Sequence, residues 1–173
     1  SGPIIEDKLF FFVGYEEFES GLPALYGAAD SGMPNSAEDA TEADIAEIAR
    51  ISKDRYGFDP GQFTSFTAPE TGEKTIIKLN ANINDIHRAV FLYQSDEDSL
   101  PSGGYNRFSS NWVYYAPEIE RNSITLYSDW NDRLSTKVRY STYEYLSDPY
   151  SPGLTIPEMT VEVGGDKIRL GGE

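Results

Sequence analysis

The chain has 173 residues, and its 29 acidic residues outnumber the 14 basic ones, giving a formal net charge of −15 at pH 7. Nucleic-acid binding and a polybasic membrane anchor both need clustered cations, so this charge argues against them. Without cysteine, the chain has no disulfide framework and no zinc–thiolate site. Aromatic residues still make up 13% of the chain, which is more than disordered acidic sequences contain.

Apolar and polar side chains alternate along several segments, and this alternation predicts β-strands. In the first, Leu9, Phe11 and Val13 share one side of the strand. The segments between the strands are rich in Gly, Pro, Asn, Ser and acids, which is typical of loops. We predict strands at about 8–18, 74–84, 87–96, 122–131 and 133–146, with long loops at 20–73, 97–121 and 147–159.

One short helix is predicted inside the first long loop, over residues 41–53. Thr41 and Asp44 have the spacing of a capping box, with Asp in place of the preferred Glu. Ile45 and Ile48 lie on one helical stripe. A helix of this length is marginal alone, so we expect it to pack against other elements.

Short turns and long loops alternate along the chain. Asn84-Asp85 and Asn131-Asp132 each join two predicted strands by a tight turn. Near the carboxyl end, residues 160–170 have the pattern of two short strands around Gly164-Gly165. Long loops on one side of the strand pairs and short turns on the other side characterise outer-membrane β-barrels.

The predicted fold is therefore all-β: an antiparallel meander of about five amphipathic strands from a transmembrane β-barrel, with one short helix in a long external loop. Strands in lipid must pair with one another because lipid offers no hydrogen bonds. The side chains expected to face lipid are Ile77, Leu79, Ala81, Ile83, Ile124, Leu126, Val138 and Tyr140. Those expected to face a wet lumen are Lys78, Asn80, Asn82, Asp129, Lys137 and Arg139.

A soluble antiparallel sheet has the same alternation, so the pattern leaves a second architecture open. This alternative is a secreted acidic β-sandwich that binds carbohydrate through Trp112 and neighbouring tyrosines. In an isolated structure the two readings differ at one point. A sandwich buries Ile77, Leu79, Val138 and Tyr140 against a second sheet, whereas a barrel segment leaves them on an outward face.

Candidate ligand-binding residues come from the lumen-facing set and from the second long loop. They are Asn80, Asn82, Lys137, Arg139, Trp112 and Tyr114. Trp112 and Tyr114 suit stacking on a sugar or an aromatic ligand, and equally suit the aromatic girdle of a barrel.

No catalytic or metal-binding set is predicted, no cofactor is expected, and we do not expect an enzyme. His87 is the only histidine, and no nucleophile lies near it in the sequence, which favours a turn or interfacial residue over a catalytic base. The acidic run Asp96-Glu97-Asp98 lacks the spacing and the glycine of an EF-hand loop, which favours a solvated loop over a calcium site.

Four segments carry a resemblance to a known family. They are Gly2 to Glu16 (GPIIEDKLFFFVGYE), Tyr56 to Gly61 (YGFDPG), Lys78 to Arg88 (KLNANINDIHR) and Ser128 to Ser135 (SDWNDRLS). In this order they resemble the beginning of the barrel in TonB-dependent outer-membrane receptors of the Oar-like type.

The resemblance implies that residues 1–173 are a partial barrel domain, comprising roughly the first five of about 22 strands. It places the chain in the cell outer membrane and implies ligand binding and uptake as the family role. The implied partners are outer-membrane lipid, the rest of the barrel with its plug, and the TonB complex, reached through an amino-terminal part that this sequence does not contain. A fragment of this kind is not expected to transport alone.

Overall fold

The computed structural model describes residues 1–172. Its elements are β1 Gly2–Ile5, β2 Leu9–Ala24, β3 Tyr26–Gly27, β4 Asn35–Ser36, α1 Glu42–Tyr56, β5 Phe66–Asn82, β6 His87–Ser102, β7 Val113–Tyr115, β8 Pro117–Asn131, β9 Leu134–Ser147, β10 Met159–Val163 and β11 Asp166–Leu170. A 3-10 helix covers Ser109–Asn111. The chain is thus mostly β with one α-helix, as the sequence predicts.

The chain divides into two compact units. Unit 1 comprises Ser1–Phe18, Thr71–Asp98 and Pro117–Ser147, and unit 2 comprises 19–70, 99–116 and 148–172. The long sheet has the strand order β1-β2-β5-β6-β8-β9, and β7 pairs with β6. β10 and β11 form a separate antiparallel pair, and β3 pairs with β4 in parallel.

Antiparallel pairing sets the two faces of the sheet in unit 1. Leu126 pairs with Ala89 on β6 and with Val138 on β9, so these three side chains share one face. Tyr127 pairs with Arg88 and Lys137, so these three share the other face.

Asparagine side chains close the two predicted tight turns. Oδ1 of Asn84 accepts hydrogen bonds from the backbone N–H groups of Ile86 and His87, at 2.9 and 2.8 Å. Oδ1 of Asn131 accepts from the N–H of Arg133 at 3.0 Å. These bonds satisfy backbone donors where the ladder ends, which explains why both hairpin turns carry Asn, in one case shortly after β5 and in the other as the last residue of β8.

Unit 1 has no apolar core among its described residues. Every buried apolar side chain of residues 1–172 belongs to unit 2. The buried polar side chains of unit 1 are Asp96, Thr125 and Ser128. Its sheet is therefore held by the backbone ladder, and apart from these three residues the side chains on both faces stay at least partly accessible.

Unit 2 contains helix α1, and its ends match the sequence signals. Oγ1 of Thr41 accepts from the N–H of Asp44, and the Asp44 carboxylate accepts from the N–H of Thr41, which completes the predicted capping box. Gly57 ends the helix with φ of 64°, a left-handed conformation that glycine adopts without penalty. The helix extends three residues beyond the predicted Lys53, to Tyr56.

Two apolar clusters form the core of unit 2. In the first, Ile45 and Ile48 of α1 join Phe63, Phe108 and Ile168, and the rings of the two phenylalanines meet edge to face with centroids 5.2 Å apart. The second is Ala24, Ala68, Trp112 and Tyr114, with Tyr26 and Phe66 packed against it.

Asp166, the first residue of β11, ties separate segments of unit 2 together. Its Oδ2 accepts hydrogen bonds from the N–H groups of Asp39 and Ala40, at 2.7 and 2.9 Å, and its Oδ1 accepts from Nδ2 of Asn106 at 2.8 Å. Asp39 returns a bond, since its carboxylate accepts from the N–H of Gly165 at 2.6 Å.

The strands are longer than predicted, and this corrects the loop boundaries. Parts of the predicted loops 20–73 and 97–121 are strand, because β2 runs on to Ala24, β5 begins at Phe66, β6 runs to Ser102 and β8 begins at Pro117. These extensions are rich in Ser, Thr, Glu, Gly and Pro, so they pair through the backbone without an apolar alternation that sequence could reveal. The alternation pattern does not predict β1, because this strand has only four residues.

We expect Asp166→Asn to lower the free energy of unfolding by about 1–3 kcal/mol, because it leaves buried donors without a charged acceptor. Burial raises the pKa of Asp166, but hydrogen bonds from Asp39, Ala40 and Asn106 outweigh it and bring the pKa to about 2. A lowered pKa stabilises the fold above the unfolded-state value near 4. The difference from the wild type should therefore disappear as pH falls from about 4 to about 2.

Urea unfolding followed by the fluorescence of Trp112, in a Trp130→Phe background, measures this effect. Glu162→Gln is the control, because this exposed acid has only a 3.9 Å contact with Lys167. Equal effects of the two substitutions, or a D166N effect that is unchanged at pH 2, would contradict the assignment.

Adjacent glycines at 103 and 104 offer a second test. A Cβ at Gly103 collides with the indole ring of Trp112, whereas a Cβ at Gly104 meets no atom within 4 Å. Gly103→Ala should therefore cost about 1–3 kcal/mol by overpacking, and Gly104→Ala should stay within about 0.5 kcal/mol. Thermal unfolding followed by circular dichroism compares them, and equal stability of the two variants would disprove the packing.

Candidate functional site

The first candidate surface is the apolar face of the sheet in unit 1. Val138 and Tyr140 on β9 have 65% and 69% of their surface exposed, and their partners on β8, Leu126 and Ile124, are exposed too. No second sheet covers this face within unit 1. The apolar face comprises side chains of five strands, because Gly14, Ile76, Lys78 and Asn80 lie on the opposite face and their neighbours in β2 and β5 therefore lie on this one: Phe11, Val13, Tyr15, Ile77, Leu79, Ala81, Ala89, Phe91, Ile124, Leu126, Val138 and Tyr140.

Trp130 lies beside the turn at one end of the apolar face. Its Nε1–H donates to Oγ1 of Thr136 at 3.0 Å, and its ring meets His87 edge to face with centroids 5.1 Å apart. His87 in turn forms a 2.8 Å hydrogen bond between Nδ1 and Oγ of Ser128. No carboxylate among the described residues bonds to this histidine, so the pair lacks the orienting group of a catalytic triad.

The opposite face of the sheet is cationic. It carries a concavity of about 420 Å³, lined by Ile76, Lys78, Asn80, Arg88, Val90, Leu92, Ser123, Thr125, Tyr127 and Arg139. Three of these residues are cations and none is an acid. We call this surface the cationic face, and it includes Lys137 beside the concavity, whose Nζ lies 5.4 Å from the centre of the Tyr127 ring.

The predicted lumen residues fall on this face, but they differ in what they contact. Lys78, Asn80 and Arg139 come together in the concavity, and Lys137 lies next to it. Asn82 instead donates from Nδ2 to the carbonyl of Asp7 at 3.0 Å, which ties the end of β5 to the turn between β1 and β2. This residue therefore has a structural contact that the sequence did not indicate.

Trp112 and Tyr114, the two aromatic residues predicted to contact ligand, are in the core of unit 2. Trp112 is 2% exposed, and the rings of Tyr26 and Phe66 meet its indole edge to face. Tyr114 is 8% exposed and stacks on Tyr150 at a centroid distance of 5.4 Å. Neither ring is accessible as a stacking platform or as part of a girdle, so both interpretations of these residues need correction.

Other tyrosines of the same segment are accessible. Tyr105 and Tyr115 are 63% and 47% exposed and line a concavity of about 680 Å³ in unit 2. Its charged lining residues are Glu38, Arg107, Asp166, Lys167 and Arg169. Sequence spacing cannot distinguish these exposed rings from the buried ones, because burial depends on the packing around Gly103 and Phe66.

Among residues 1–172, no three or more His, Cys, Asp and Glu side chains converge as they would around a metal ion. The helices there are too short or too polar to cross a membrane.

Comparison with known proteins gives no relative. No protein-family model matches the chain, and neither the curated proteins nor the solved structures contain a match.

The two tryptophans test the division between core and surface. Trp112→Ala should cost about 3–5 kcal/mol, because it removes a large buried ring from the second core cluster. Trp130→Ala should cost less than about 1 kcal/mol, since this ring is 51% exposed. Urea unfolding followed by circular dichroism measures both. If the Trp112→Ala variant is as stable as the wild type, Trp112 is not a core residue and is again a candidate for ligand contact.

Proposed function

We propose that unit 1 is part of the transmembrane barrel of a TonB-dependent receptor in the outer membrane, with ligand binding and uptake as the role of the complete receptor. The observation that carries the proposal is the apolar face, which extends over five strands without a protein cover. The resemblance of four segments to Oar-like receptors supports the same assignment.

Lipid is the medium that fits such a face. An apolar surface of this extent in water marks a site of association with protein or membrane. Each side chain that leaves water for hydrocarbon contributes about 25 cal/mol per Å² of apolar area. Backbone donors and acceptors within the sheet pair with neighbouring strands, which is the condition for strands in lipid.

The cationic face is then the wet side of the barrel wall. Its polar groups line the route of a ligand, and the accessible residues of the long connections capture the ligand outside. Within residues 1–172, β9 pairs with β8 alone, so its other edge is open for the next strand of a larger barrel. The proposed partners are lipid, the rest of the barrel with its plug, and the TonB complex, which supplies the energy for uptake through the plug.

The alternative, a secreted β-sandwich that binds carbohydrate, has less support. A sandwich packs a second sheet on the apolar face, about 10 Å away. Unit 1 has one sheet, and Val138 and Tyr140 remain exposed on it. The tryptophan assigned to sugar stacking, Trp112, is buried.

Two lysine substitutions on β9 test the proposal. Val138→Lys puts a charge on the apolar face, and Ser141→Lys puts the same charge on the cationic face. We expect the chain to associate with phosphatidylcholine vesicles, and Val138→Lys to weaken this association by about 2–4 kcal/mol if position 138 lies near the bilayer centre. Ser141→Lys should weaken it by less than about 1 kcal/mol.

Flotation of the refolded full chain with vesicles measures the association. If the wild-type chain remains in the aqueous fraction, or if the two lysine variants behave alike, the membrane assignment is wrong.

A further inference from the structure

The concavity on the cationic face has a charge opposite to that of the chain. The whole chain has a net charge of −15, yet Lys78, Arg88 and Arg139 line this concavity without any acid. Like charges at such a site repel one another, and because the three side chains are exposed, water and salt screen part of this repulsion. An anion in the concavity removes it.

Four cations of this face have no carboxylate partner within residues 1–172, whereas Arg121, on the same side of β8 as Thr125, is paired with Asp96. Lys78, Arg88, Lys137 and Arg139 form no ion pair there, whereas other arginines do. Arg121 lies 3.3 Å from Asp96, and Arg50 contacts two acids of its own helix. The acids of the cationic face nearest in the register are Asp96, which Arg121 and Gln94 already contact, and Asp129.

Neighbouring side chains hold two of the arginines in place. Nε of Arg139 donates to Oγ1 of Thr125 at 3.0 Å, and Thr125 is 2% exposed, so a fixed group orients the guanidinium. The terminal nitrogens of Arg139 remain available to a ligand. Arg88 lies 4.7 Å from the centre of the Tyr127 ring, an arrangement that orders a cation without neutralising it.

Apolar side chains complete the lining. Ile76, Val90 and Leu92 lie in the same concavity as the three cations and are partly accessible. A small inorganic anion makes no use of them, whereas an organic anion places its carbon skeleton on them and its charged groups on the cations.

We propose that this concavity is a binding site for an organic polyanion, a compact molecule with two or three carboxylate groups on an apolar or aromatic body. The ligand would thus bind in the lumen of the proposed barrel. Only this location of the site rests on the proposed function. The arrangement of cations and apolar groups belongs to unit 1 by itself.

Isothermal titration calorimetry tests the site on the full chain, refolded in a nonionic detergent. The probe is benzene-1,3,5-tricarboxylate, compared with inorganic phosphate and with the neutral benzene-1,3,5-trimethanol. We expect the tricarboxylate to bind and phosphate to bind at least about tenfold more weakly. The neutral triol should give no binding heat. Binding of the tricarboxylate should weaken as salt is raised, because salt screens exposed charges.

Charge-removing substitutions locate the site. Arg139→Gln and Lys78→Gln should each weaken binding about tenfold, because each removes a charge-assisted hydrogen bond to the ligand. Arg55→Gln makes the same charge change on the exposed surface of α1 in unit 2 and should leave the affinity within about twofold. Circular dichroism and near-ultraviolet spectra establish that each variant is folded.

Several results would overturn the proposal. They are the absence of tricarboxylate binding by the folded wild-type chain, equal binding of the neutral triol, or an equal loss in the Arg55→Gln variant. If phosphate binds more strongly than the tricarboxylate, the concavity is a site for inorganic anions, and the proposal of an organic ligand is wrong. Vesicle flotation tests the membrane function independently of this titration. If the chain binds the tricarboxylate but does not associate with vesicles, only the membrane function is rejected. If it associates with vesicles but does not bind the tricarboxylate, only the polyanion site is rejected.

Discussion

The backbone hydrogen-bond ladder is the interaction on which unit 1 depends. Its strands pair over long registers, from Pro117 to Asn131 between β8 and β9, yet no apolar side chain of the unit is buried. Ordering each residue costs about 1–2 kcal/mol in backbone entropy, and a hydrogen bond exchanged with water returns only about 1 kcal/mol. A single sheet of this kind therefore needs its apolar face covered by something outside the unit, and this requirement supports the membrane proposal.

Unit 2 is stabilised in a different way. Helix α1 and β11 bury apolar side chains around Phe63 and Phe108, and polar residues connect the segments at the boundary of this core. Asn111 is fully buried, and its amide donates to the carbonyl of Gly171 and to Glu158 while accepting from Arg107. Like Asp166, Asn111 connects by side-chain hydrogen bonds loop segments that have few backbone hydrogen bonds of a helix or sheet. The sequence of this region is acidic and typical of loops, yet the region forms an ordered core.

The two faces of the sheet divide the chemistry of unit 1. Uncovered apolar side chains lie on one face, and the other carries four cations that have no acidic partner among residues 1–172, namely Lys78, Arg88, Lys137 and Arg139. Alternation along each strand predicts which side chains share a face, but the cationic concavity arises only when Lys78, Arg88 and Arg139, from three strands, are brought together. These residues are up to 61 positions apart in the sequence, and no local pattern indicates that they lack acidic partners.

Local signals in the sequence determined the β class, the two Asn-Asp turns, the capped helix and the alternation of faces, because each depends on residues a few positions apart. These local signals do not show how far the strands extend, because the polar ends of the strands pair through backbone groups that every residue carries. Only the tertiary structure decided that Trp112 and Tyr114 are core residues while Tyr105 and Tyr115 are exposed. Burial is set by neighbours distant in the chain, such as Tyr26 and Phe66 around Trp112, and composition alone does not encode which aromatic ring they enclose.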